Sequence, residues 1–125
     1  MSRAMLTRLP VALLGAALAV ALAACQEEEY VDHTPPEGQG SLVVDNNSTD
    51  TLRVLVNATT NLIESGAYAV ADLAPGDYDV RVEEQGNAYR TFEDLVTVHG
   101  SELLILHVFG HPTDRTAYTV VDERR

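Results

Sequence analysis

Leu73-Ala74-Pro75-Gly76-Asp77-Tyr78-Asp79-Val80-Arg81-Val82-Glu83 decides the fold class. From Asp77 onward the stretch alternates. Tyr78, Val80 and Val82 share one parity, while Asp77, Asp79, Arg81 and Glu83 share the other. Successive side chains of a strand point to opposite faces, so this reads as a strand with one buried and one wet face. The residues before it make a turn. Pro75 presets φ for the second turn position and Gly76 supplies the positive φ of a type II turn. A Pro-Gly turn between two apolar parities predicts a hairpin.

The same period recurs on both sides of this stretch. Leu42-Val43-Val44 is a first short strand, followed by a loop of turn formers from Asp45 to Asp50. Thr51 to Asn57 places Leu52, Val54 and Val56 on one face. Ala67 to Leu73 is weaker, with Tyr68 and Val70 together. Tyr89 to Val98 aligns Phe92, Val96 and Val98. Glu102 to Phe109 is apolar on both parities, so it is either a central strand covered on both faces or one that exposes an apolar stripe. Ala117 to Val121 reads as a final edge strand, and residues 122–125 as a charged tail. No segment after the N-terminal apolar run has a helical period. About seven short strands at near-regular spacing predict an all-β fold, a small antiparallel β-sandwich over residues 41–121.

The turn and its neighbours carry a resemblance. An L-x-P-G-x-Y turn, the strand from Tyr78 to Val82, then Val96-Thr97-Val98-His99-Gly100 and a last apolar strand are similar to PEGA-type and carboxypeptidase-regulatory-like bacterial β-sandwich modules. The likeness spans roughly residues 41 to 109. It departs at the namesake tetrapeptide, where this chain has Pro75-Gly76-Asp77-Tyr78. The resemblance implies a surface or scaffold module and offers no catalytic residues.

The N-terminus addresses location. Arg3 and Arg8 precede an apolar stretch from Leu9 to Ala24 that contains no acidic residue. A positive n-region, a short apolar core and small residues before a cleavage point form a secretory signal. The stretch is slightly short for a spanning helix, which needs about 20 apolar residues. It ends in Leu22-Ala23-Ala24-Cys25, whose cysteine is the only one in the chain. These four residues resemble a bacterial lipobox. The resemblance implies cleavage after Ala24, removal of residues 1–24 and palmitate-type acylation of Cys25, so that the membrane becomes a partner through the acyl chains. A single chain anchors only marginally, and the resemblance implies a diacylglyceryl group. Gln26 rather than aspartate follows the cysteine, which by analogy with enteric bacteria implies the outer membrane. Residues 25–40 read as the lipidated cysteine and an acidic Pro/Gly linker, a flexible coil whose ends would lie on the order of 20 Å apart.

Charge excludes some partners. The 125-residue chain has no lysine, and its net charge is −11. Without Arg3 and Arg8, six basic residues face nineteen acidic ones, a net −13 for residues 25–125. Nucleic-acid binding needs clustered Lys and Arg, so nucleic acid is excluded as a partner. With Cys25 committed to the anchor no internal disulfide forms, and the domain must rely on its core.

Little in the sequence points to chemistry. No serine lies in a G-x-S-x-G turn, no glycine-rich phosphate loop occurs, and Glu83-Glu84 and Glu93-Asp94 are neighbours that point to opposite strand faces. The expectation is a protein that is not an enzyme and holds no cofactor. His107 and His111 with Asp114 would need to converge to hold a metal, yet four residues of extended chain separate side chains by about 13 Å. The Asp45–Asp50 loop is rich in oxygen but lacks the EF-hand spacing, and calcium or another ligand there is the alternative reading. The main expectation is a lipid-anchored envelope module that binds an envelope protein or surface polymer. Its candidate contact surface is the second parity of the long apolar strand, Leu103, Ile105 and Phe109, together with Tyr118.

Overall fold

Each apolar-parity segment read from the sequence forms a strand in the computed structural model, which describes residues 10–12, 29–86 and 89–125. The strands are β1 (Pro10–Ala12), β2 (Gly40–Asn46), β3 (Leu52–Val56), β4 (Thr59–Ile63), β5 (Tyr68–Leu73), β6 (Gly76–Glu84), β7 (Thr91–Val98), β8 (Leu103–Gly110) and β9 (Tyr118–Arg124). A short 3-10 turn, Glu29–Asp32, precedes β2. The strands form two sheets, a five-stranded one in the order β9-β8-β2-β5-β1 and a four-stranded one in the order β4-β3-β6-β7. The chain is therefore all-β, as the alternation predicts. No helix among the described residues is long and apolar enough to cross a membrane.

The inward parities meet between the sheets. Leu42, Val44, Leu104 and Leu106 from the five-stranded sheet pack on Val54 and Val82 of the four-stranded one, all 2 % exposed or less. Tyr78, Val80 and Val82 point inward from β6, and Phe92, Val96 and Val98 from β7, as their periodicity requires. Burying a Val or Leu side chain contributes about 1.5–3 kcal/mol, so this two-layer core is the main source of stability in a chain without an internal disulfide.

Four expectations are corrected. First, Leu73–Gly76 is not a hairpin. β5 belongs to one sheet and β6 to the other, so the Pro-Gly turn is a corner at which the chain crosses the sandwich. Gly76 has φ 155°, which a side chain would strain. The Tyr78 hydroxyl reaches back and donates to the Ala74 carbonyl at 2.6 Å, the device known in sandwiches as a tyrosine corner. Second, the five-stranded sheet is mixed. β2 lies between β5, antiparallel, and β8, parallel, and β1 pairs in parallel with β5. Third, residues 122–124 are not a tail. Asp122, Glu123 and Arg124 extend β9 opposite Leu106, Ile105 and Leu104.

Fourth, the linker is not free along its length. Tyr30 is 3 % exposed and packs with Val43, Tyr68, Val70, Leu103 and Ile105 on the outer face of the five-stranded sheet. Its ring meets Tyr68 edge-on, with centroids 5.0 Å apart. β8 is thus a central strand buried on both faces. Gly40, at the start of β2, lies so near the His99 carbonyl that a Cβ would overlap it. The chain thus enters the sheet through a gap that fits only glycine.

Candidate functional site

The outer face of the five-stranded sheet carries two carboxylate–histidine clusters. Its apolar centre, around Tyr30 and Ile105, is bounded at either end by a carboxylate–histidine cluster. At one end Asp45 of β2 and His107 of β8 are direct partners in the parallel register. His107 Nδ1 meets the Asp45 carboxylate at 2.9 Å and Nε2 meets Glu123 of β9 at 2.8 Å. The Tyr30 hydroxyl donates to Asp45 at 3.3 Å, and the Asn47 amide donates to it at 3.0 Å. Arg125 donates to Glu123 at 2.6 Å.

Burial, the largest single effect on His107, pulls its pKa down. Hydrogen bonds to Glu123 and Asp45, with their negative charges, outweigh it and hold the imidazole above its usual value. Glu123 is held below the ordinary carboxylate range by its bond from Arg125 and then by that from His107. The cluster is a histidine ring with one carboxylate on each nitrogen. The two ring nitrogens point away from each other, so Asp45 and Glu123 flank the ring and do not converge on a common point. Among the described residues no group of three or more His, Cys, Asp or Glu is placed to hold a metal ion.

At the other end His33 Nε2 lies 2.8 Å from Asp72 Oδ1, and the Ser41 hydroxyl donates to the same oxygen at 2.6 Å. Serine, histidine and aspartate are together here, but in an order unlike a nucleophilic triad. A triad needs the histidine between hydroxyl and carboxylate. In this cluster the carboxylate is in the middle, and Ser41 is fully buried. The arrangement pins the segment after Tyr30 onto β5.

The Asp45–Asp50 loop does not offer a calcium cradle. Asp45 faces His107, whereas the Asp50 carboxylate accepts from the Tyr118 hydroxyl at 2.9 Å and lies 3.5 Å from Arg90. Asn46, fully buried, organises the loop. Its amide donates to the Asp50 and Ile63 carbonyls, and its oxygen accepts from the Ser48 amide and hydroxyl. Burial raises the Tyr118 phenol well above its ordinary value, and the bond to Asp50 adds to this. His111 accepts the amide protons of Thr113 and Asp114 on Nδ1, at 3.2 and 2.9 Å, and so caps its own loop. His107 and His111 serve different local structures.

The expected contact surface is corrected accordingly. Leu103 and Ile105, 4 % and 0 % exposed, belong to the cluster around Tyr30. Tyr118 lies on the other face. Its pairing with Gly110 turns it into the inter-sheet core at 5 % exposure, beneath Arg90. Phe109 alone remains at the surface, 40 % exposed, with Val121 of β9 exposed on the same side. Cys25 and Ala24 lie outside the described residues.

Sequence reasoning missed the docking of Tyr30, and missed a cleft on one side of the sandwich. The cleft has a volume of about 320 Å³ and runs between the edge strands β7 and β9. The lone aromatic inside an acidic linker was the available signal for Tyr30. For the cleft the signal was two carboxylates, Asp94 and Asp122, on positions where the strand period calls for apolar residues.

No family model and no curated protein matches the chain. Among solved structures it is similar to the C-terminal domain of AlgF from P. aeruginosa. The identity is 15 %, the match covers 71 % of this chain and 100 % of that one, and the TM-score is 0.53. At that identity the likeness shows a shared small β fold alone.

Proposed function

We propose that this chain is a lipid-anchored lipoprotein of the bacterial cell envelope, held at the outer membrane, whose β-sandwich is a non-catalytic interaction module. The observation that carries the reading is Leu22-Ala23-Ala24-Cys25 at the end of a signal-like segment, five residues before the docked Tyr30. Five residues of extended chain span at most about 17 Å. An acylated Cys25 therefore holds the Tyr30 face of the β9-β8-β2-β5 sheet, which loses β1 with the cleaved segment, close to the bilayer. The opposite sheet and the β7–β9 side are left for partners.

A non-catalytic role is supported by how the polar clusters are closed. His107 has a carboxylate on each nitrogen, His33 and Ser41 share Asp72, and Glu83 is clasped by Arg81 and Arg53. Each works as a fastener between neighbouring strands. The net charge of −13 on residues 25–125 keeps such a domain soluble and disfavours flat adsorption on anionic lipid.

In-cell crosslinking of tagged protein, beside Cys25→Ala as a released control, tests the reading. Capture of one defined envelope component by the native form and its loss in the released form is expected. Recovery of both forms alone would overturn it.

A further inference from the structure

β7 and β9 are each the edge strand of their sheet. At one end the edges touch through the Thr91–Ala117 bridge, where the Thr91 amide donates to the Thr116 carbonyl at 3.2 Å. At the other end Arg124 donates to the Thr97 carbonyl at 2.8 Å and to Glu102 at 3.3 Å. Between these clamps lies the cleft. Leu104 and Leu106 of the core form its floor, and half-buried Phe92, Val96 and Val120 form its walls.

The inward parity of both edges breaks here. On β7 the inward row runs Phe92, Asp94, Val96, and Asp94 pairs with inward-facing Val80. On β9 it runs Tyr118, Val120, Asp122, and Asp122 pairs with inward-facing Leu106. Both carboxylates line the cleft and both are exposed. The basic residue among its lining is Arg124, already engaged by Glu102 and Thr97. A largely polar slot between two sheet edges, with an apolar floor and acid on both lips, matches an extended segment that alternates basic and apolar side chains. Strand addition to a sheet edge supplies affinity through backbone bonds, and the pockets supply side-chain selection.

We infer that the β7–β9 cleft is the docking groove for an extended basic segment of a partner protein. The segment sets apolar side chains on the Leu104–Leu106 floor and a Lys or Arg between Asp94 and Asp122. The inference deepens the reading of the domain as an interaction module and is independent of its anchoring.

The test uses the full chain in detergent and two nine-residue peptides, VTKTVTKTV and its glutamate counterpart VTETVTETV. Backbone amide shifts are followed by nuclear magnetic resonance. The lysine peptide is expected to bind below about 1 mM and to move amides of Phe92–Thr97 and Val120–Arg124. The glutamate peptide is expected to leave them in place. Paired Asp94→Lys and Asp122→Lys, at exposed positions, should weaken the lysine peptide about tenfold or more and favour the glutamate peptide. Val120→Trp, which fills the slot, should block the lysine peptide. Equal binding of the two peptides, shifts confined to other strands, or no shifts would overturn the inference. The last result would leave the carboxylates as guards against edge-to-edge pairing. Self-association of the chain through the same amides would also overturn it, by naming a second copy as the occupant. Acyl labelling of Cys25 reads the anchor separately, so the two readings fail independently.

Discussion

Ile105 and Phe109 share a parity on one strand and have opposite fates. Ile105 is fully buried beside Tyr30, whereas Phe109 is 40 % exposed. Ile105→Ala should cost about 2–4 kcal/mol in urea unfolding, as truncation of a buried core residue does. Phe109→Ala should stay within about 0.5 kcal/mol. His107 makes a pH-dependent contribution. Its folded-state pKa is raised, so its stabilisation is fully present below its ordinary value of 6.5 and is lost as pH rises through the folded value. Glu123 and Glu83 are held low, so their contributions are present above their ordinary value of 4.5 and fade as pH falls through their folded values. The thermal midpoint should therefore be highest between about pH 4.5 and 6.5 and fall on the alkaline side. His107→Gln should flatten that alkaline fall. An unchanged slope would remove the cluster from the account. Strand parity made the inward residues legible. It did not tell whether a second apolar parity faces solvent, because the cover, Tyr30, comes from a segment whose composition reads as linker.

At the level of elements, the corner at Pro75-Gly76 holds the two sheets in relation. Tyr78→Phe removes the hydroxyl bond to Ala74 and should cost about 1 kcal/mol. Gly76→Ala adds backbone strain on the order of 1 kcal/mol or more. Gly40→Ala should cost more than either, since the His99 carbonyl must move, and the order of urea midpoints checks this. The alternating strands β3, β6 and β7 were readable because each has one wet face. The parallel pairing of β2 and β8 was not read, although the signal was present. Leu42-Val43-Val44 and the run from Leu103 to Val108 are apolar on both parities, as strands with a parallel neighbour and two covered faces are. A turn motif specifies local φ but not which sheet the next strand joins, so the sequence predicts a hairpin where the chain turns a corner. Strand β4, Thr59–Ile63, escaped because its polar, mostly exposed residues show no apolar stripe. Its turn was signalled only by Asn57, which takes φ 55°.

For the whole molecule, a lysine-free acidic domain without internal disulfides is fastened by a two-layer core and by carboxylate–cation clusters on both outer faces. The 3-10 turn at Tyr30 fixes the segment ahead of β2 on the outer face of its sheet, so the proposed anchor at Cys25 would be a short tether. Truncating that side chain, Tyr30→Ala, should open the outer cluster and increase protease cleavage between residues 30 and 40, with the inter-sheet core still folded. Limited proteolysis followed by mass analysis reads this, and unchanged cleavage would mean that the tether is held elsewhere. The proposed location rests on four residues, Leu22 to Cys25, whereas the partner surface has no such signal in the sequence. A docking cleft arises from two edges distant in sequence and has no local motif. The most direct test of the central claim is the intact mass of the N-terminal peptide from the native host. The account predicts a chain that begins at Cys25 and bears a diacylglyceryl group, with the label lost in Cys25→Ala. A chain that retains residues 1–24, or begins at an unmodified Cys25, would contradict it.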